Sequence, residues 1–115
     1  MKLNEAIKQA DDLRPNAFDA AQKAIWCYEI EGAVAEMMGI NAPENLYPQD
    51  APLLMPRPYE SIYALYIAAK IDYYNEETAL YQNDLAVFEE AFARAQAWWI
   101  RAHRPAKRTN WKVMH

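Results

Sequence analysis

The chain has 115 residues, 53% of them apolar, with two glycines, one cysteine and a formal net charge of −4. That length sets one domain, and the apolar share is too high for a disordered chain. A single cysteine rules out an intrachain disulfide, and two glycines are too few for a phosphate-cradling loop.

The charge is unevenly placed. Residues 1–93 carry 16 acids and 6 bases, whereas residues 94–115 carry 6 bases and no acid. An acidic body with a basic tail argues against DNA binding by the folded part, because phosphate contacts need a basic face.

The first predicted helix runs from about Asn4 to Leu13, with Asn4 as its cap and Leu3, Ile7 and Leu13 on its apolar side. Pro15 ends it, since the residue before a proline avoids the helical region. The second starts at Asp19, which has capping-box spacing to Gln22. Trp26, Ile30, Val34 and Met37 or Met38 share one face, and Gly39 is placed to close the helix in a left-handed conformation. Gly32 falls mid-helix, where a close approach of another helix would explain it.

Residues 40–57 form a long connection containing Pro43, Pro48, Pro52 and Pro56. Proline fixes its own backbone angle, so the segment is expected to be extended and stiff. Leu46, Tyr47, Leu53, Leu54 and Met55 suggest that it lies against its own core or against a neighbouring chain.

Pro58 is a favourable first-turn residue for a third helix that reaches Tyr74. This helix is apolar on nearly every side between Ile62 and Ile71, as expected of a central element. Asn75 breaks it, and residues 76–81 are expected to form a short turn of helix. A fourth helix, capped by Asn83 or Asp84, continues to His103 with Leu85, Phe88, Phe92, Ala95, Trp99 and Ala102 along one seam. Pro105 stops it. The expected architecture is all-α: a small bundle of about four helices over residues 1–103, a long proline-rich loop, and a basic C-terminal tail over residues 104–115.

Little in the chain suggests catalysis. His103 and His115 have no ligand partners at metal spacing. Cys27 sits mid-helix beside Trp26 and reads as a core or boundary residue. The carboxylate pairs Asp11–Asp12, Glu29–Glu31, Glu76–Glu77 and Glu89–Glu90 read as solvated faces. Asp72 stands out because it follows a strongly apolar turn, so it requires a partner if it points inward, with Asn75 or a backbone amide as candidates. No cofactor is expected, and an enzyme is disfavoured.

The N-terminal stretch MKLNEAIKQADD lacks an apolar signal core, and Ile62–Ala69 is too short an apolar run to span a bilayer. No membrane association is expected. The 15 aromatic residues exceed what a small helical core holds. Some are therefore expected at an interface, where Tyr and Trp are favoured, or at the rim of the core. Leu53, Leu54, Tyr59, Tyr63 and Tyr66 are the candidate self-association residues.

Three segments carry a resemblance. They are WCYEIEGAV at 26–34, PRPYESIYALYIAAKIDYYNEE at 56–77 and LYQNDLAVFEEAFARAQAWWIRAHRP at 80–105. Together they cover about half of the chain, within a span from Trp26 to Pro105, and it resembles the head–tail connector, or head-completion adaptor, proteins of phages and prophages. Two positions depart from that pattern: Glu76 stands where glycine is expected, and Gln82 where asparagine is.

The resemblance implies a ring of copies beneath the portal, in the virion neck, assembled in the bacterial cytoplasm. Such a ring extends the DNA channel without specific DNA binding and presents a platform to a downstream neck or tail protein. It also implies a portal-binding tail, here carrying Arg104, Lys107, Arg108, Trp111 and Lys112. The alternative reading is a small helical regulator that binds a partner or nucleic acid through the same tail.

Overall fold

The structure is a computed structural model, and it describes residues 1–42 and 51–103. Four helices make up the described residues: α1 (Leu3–Leu13), α2 (Ala20–Met38), α3 (Ser61–Tyr74) and α4 (Thr78–Ala102). No strand occurs among them, only one isolated bridge between Lys2 and Pro52. The described residues therefore form the expected all-α bundle of four helices. The expected tail, including Arg104, Lys107, Arg108, Trp111 and Lys112, lies outside the described residues, as does the 43–50 part of the proline-rich loop.

The hub is α3. It packs against α1, α2 and α4, while α4 leans chiefly on α3. The apolar girdle read from the sequence explains this, since Ile62, Tyr63, Ala64, Ile67, Ala68, Ala69 and Ile71 are all buried. Burying each isoleucine contributes about 1.5–3 kcal/mol. From α2, Trp26, Cys27, Ile30 and Val34 meet this face, and from α1, Leu3, Ala6, Ile7 and Ala10. From α4 come Phe88, Ala91 and Ala95.

Local chemistry sets the ends of α2. The Asp19 side chain accepts a hydrogen bond from the Gln22 N–H at 2.8 Å. Gly39, at φ 74°, closes the helix. Its N–H donates to the Glu36 carbonyl and the Ile40 N–H to the Ala35 carbonyl, the two bonds of a Schellman motif. Both ends follow the reading of the sequence. Gly32 does not: among the described residues nothing lies within 4 Å of a Cβ placed there, so no close helix approach explains it.

Three other boundaries differ from expectation. The cap of α1 is Lys2 rather than Asn4, with the Lys2 N–H donating to the Glu5 carboxylate at 2.7 Å. Helix α3 begins at Ser61, and Pro58 lies in the preceding turn after a cis Arg57–Pro58 bond. Helix α4 begins at Thr78, so residues 78–84 belong to one continuous 25-residue helix and neither Asn83 nor Asp84 caps it.

The break between α3 and α4 is a second Schellman motif. The Glu76 N–H donates to the Tyr73 carbonyl and the Glu77 N–H to the Asp72 carbonyl. Glu76 takes the left-handed position at φ 60° that glycine normally fills.

By helical rise α3 is about 21 Å long and α4 about 37 Å. The antiparallel pair starts together at the Asn75–Glu77 corner, so α4 outruns α3 at its far end. This mismatch revises the packing seam. It holds from Leu85 to Ala95, then passes to Trp98, which stacks on Tyr59 at 5.1 Å between centroids. Trp99 lies beyond and stacks on His103 instead, and Ala102 is exposed.

Candidate functional site: buried polar contacts and an aromatic, acidic corner

Residues 51–55 form a strap across the bundle, held by backbone groups. Leu3 N–H donates to the Ala51 carbonyl at 3.0 Å and Leu53 N–H to the Met1 carbonyl at 2.9 Å. Leu54 N–H donates to Glu31 Oε2 at 2.7 Å. Met55 N–H donates to the Tyr63 hydroxyl at 2.8 Å, and that hydroxyl donates to Glu31 Oε1. Three consecutive strap amides are thus satisfied by a carbonyl, a carboxylate and a phenol.

Two expectations are corrected here. Glu31 is fully buried rather than on a solvent face, because the strap and Tyr63 supply the donors that a buried carboxylate requires. Tyr63 is fully buried as well. It is a core residue holding the strap, so it is not available for self-association. Burial, reinforced by the adjacent Glu31 charge, drives its phenol far above the usual tyrosine range.

Leu53 is likewise a core residue, and Leu54 is half-buried against the core. For residues 51–55 the loop's apolar partner is the chain's own core. Tyr59 and Tyr66 are half-buried. The Tyr66 hydroxyl donates to Glu29 Oε1 at 2.8 Å, and its ring meets Phe88 edge-on. Cys27 is buried, and burial pushes its thiol up to about 12, which keeps it protonated and unreactive.

A second polar centre joins three helices. Arg14, just past α1, places Nε 3.2 Å from Asp72 Oδ1 on α3 and Nη2 2.9 Å from Asp84 Oδ2 on α4. Asp72 does point inward, and its partner is Arg14 rather than Asn75 or a backbone amide. One guanidinium serves two carboxylates, and Asp72 Oδ2 has no hydrogen-bond donor among the described residues. Burial, with Asp84 alongside, raises the Asp72 carboxyl to about 7 against the opposing pull of Arg14. A third contact ties α1 to α2, where buried Lys23 reaches Asp11 Oδ1 at 2.8 Å and Asn16 Oδ1 at 3.3 Å.

The open surface lies beside the second centre. A cleft of about 670 Å³ at the α3–α4 corner is lined by Asp72, Tyr73, Tyr74, Glu76, Glu77 and Tyr81, among others. An adjoining recess of about 370 Å³ continues over Tyr66, Lys70 and Leu85. Tyr73 and Tyr74 are each more than half exposed, at 55% and 53%. Tyr74 is fixed by stacking on buried Trp26, with centroids 5.4 Å apart and planes 7° from parallel. Tyr73 packs against Tyr81 at 5.3 Å. The result is a rigid aromatic surface rimmed by carboxylates.

Of the tyrosines read as candidates, Tyr63 is buried and Tyr59 and Tyr66 are half-buried, while the more exposed Tyr73 and Tyr74 were not among them. The available signal was the Schellman corner. A helix that ends at Asn75 leaves its last-turn tyrosines, Tyr73 and Tyr74, half exposed at the edge of the bundle.

Among the described residues no group of three or more His, Cys, Asp or Glu side chains is arranged to hold a metal ion. No helix among them is long and apolar enough to cross a membrane. No family model, no curated protein and no solved structure matches the chain.

Proposed function

We propose that this protein is a structural adaptor that assembles through its aromatic corner, and that it acts as a ring-forming connector of a phage head–tail neck. The observation that carries the assembly reading is the corner itself. Tyr73 and Tyr74 lie half exposed, with Tyr73 packed on half-buried Tyr81, on a framework already held together by α3. Large aromatic rings left in water on a well-packed domain mark a surface meant for a protein partner.

The step from adaptor to connector rests on the three segments that resemble connector proteins. The acidic body favours that role, because a channel wall of like charge lets DNA slide without adhering. In this reading the basic segment from Arg104 to His115 engages the portal, and the ring offers its other side to the next neck or tail protein.

The test is electron microscopy of the purified protein mixed with the portal protein encoded by the same genome. The expected result is a ring of copies seated on the portal. Failure to bind portal under any ratio or salt condition would remove the connector role while leaving the aromatic corner to another assembly.

A further inference from the structure

We propose that the cleft at the α3–α4 corner receives the basic C-terminal segment, Arg104 to Lys112, of a second copy of this chain. The inference rests on the ring reading and deepens it, by naming the two surfaces that meet between copies.

The chemistry of the cleft selects a cation. Glu76 and Glu77 are exposed at its rim, and buried Asp72 at its floor shares the single guanidinium of Arg14 with Asp84. The faces of Tyr73, Tyr74 and Tyr81 complete the lining. Carboxylates around tyrosine faces suit guanidinium and ammonium groups, which stack on the rings while they hydrogen-bond the acids.

The chain carries one segment of matching charge. Every residue from position 94 onward is basic or neutral, and Arg104, Lys107, Arg108 and Lys112 crowd its end. Trp111 among them adds an aromatic face to lay on tyrosine.

Reach puts three of the segment's four bases beyond the cleft of their own chain. The cleft residue on α4 nearest the tail is Gln82, and Ala102 ends the helix. Twenty residues of helical rise separate them by about 30 Å. Arg104, Lys107 and Arg108 lie within six residues of Ala102, and six extended residues reach at most about 21 Å. The three bases therefore cannot fill the cleft of their own chain. A neighbour's cleft is open to them, and a tail entering the next copy's cleft is a heterologous contact, the kind that closes into rings. Portal and neighbour then compete for the same basic residues, so seating on the portal would draw the segment out of the cleft.

The experiment uses the full chain without portal. Sedimentation velocity over a concentration series at low salt gives the self-association constant of the natural protein. It is repeated for a tail variant, R104E/K107E/R108E, and for a cleft variant, E76K/E77K. Glu76 and Glu77 are both exposed, and far-UV circular dichroism checks that each variant keeps its helix content. Each variant alone should self-associate at least about tenfold more weakly than the natural chain. An equimolar mixture should recover, because the reversed tail of one fits the reversed cleft of the other. Raising the salt well above physiological should weaken the natural association, because exposed charges are screened.

A natural chain that stays monomeric throughout overturns the inference. So does an association that both reversals leave unchanged, or a mixture that fails to recover. If copies still form rings on the portal in any of those cases, the ring reading stands and only this occupant of the cleft is wrong.

Discussion

Replacing Tyr63 with Phe removes one oxygen from the centre of the molecule and nothing else. In the native protein that oxygen donates to Glu31 Oε1 and accepts from the Met55 N–H. Both bonds lie where water does not reach, since Tyr63, Met55 and Glu31 are each at or near zero exposure. A hydrogen bond to a charged group contributes about 1.5–3 kcal/mol, and a buried N–H left without an acceptor costs about 1–3 kcal/mol. The expected loss is therefore about 3–5 kcal/mol, a large part of the stability of a domain this size. At this length it lowers the melting temperature by roughly 10–20 °C. Urea unfolding at pH 7, followed by far-UV circular dichroism, gives the difference from the shift in midpoint at constant slope. A loss below about 1 kcal/mol would refute the buried-contact argument. A variant as stable as the natural chain but defective in assembly would return Tyr63 to the interface.

Other expectations follow from single residues. Asp72 has a folded-state carboxyl raised from 3.8 to about 7, so the folded chain holds a proton that the unfolded chain releases. Its contribution to stability is complete below about pH 4 and is lost as pH rises towards 7. Asp72→Asn should flatten that slope in melting temperatures measured across pH 4–8. The two glycines should respond to alanine in opposite directions. Gly39→Ala places a Cβ at φ 74° and should destabilise by about 1 kcal/mol, whereas Gly32→Ala meets open space within a helix and should stabilise by about 0.5–1 kcal/mol. Glu76→Gly should raise stability by about 1 kcal/mol in the same urea assay, because it relieves the left-handed φ of 60°.

What the sequence made legible was local. Asp19 and Gly39 announce the ends of α2 because their partners lie within five residues. The apolar girdle of α3 announces a central helix because no other position would hide it. Asp72 could be singled out as out of place, but its partners lie 58 residues upstream and 12 downstream, and no local pattern points to them. Glu31 was misread for the same reason. On its own helix it looks like half of a solvated pair, and only the strap and Tyr63, more than 20 residues on, make its burial tolerable. The start of α4 was misplaced because Asn83 and Asp84 resemble caps. Asp84 instead uses its carboxylate on Arg14, and the true break is a Schellman turn with glutamate where glycine is usual. The aromatic corner was not foreseen, because which tyrosines stay exposed depends on where α3 ends relative to the helices packed on it.

Because α3 is the hub, the order of synthesis matters. A ribosome makes α1, α2 and the strap before the helix that all of them pack on. Until Tyr74 has been added, the buried face of α2 has little to cover it, and the strap amide of Met55 has no phenol to meet. At about 5–20 residues per second, the interval from Met38 to Tyr74 lasts about 2–7 s. During that window Trp26, Ile30 and Val34 lack the face that will bury them. α4 then follows directly after a three-residue corner and can zip onto α3 as it emerges.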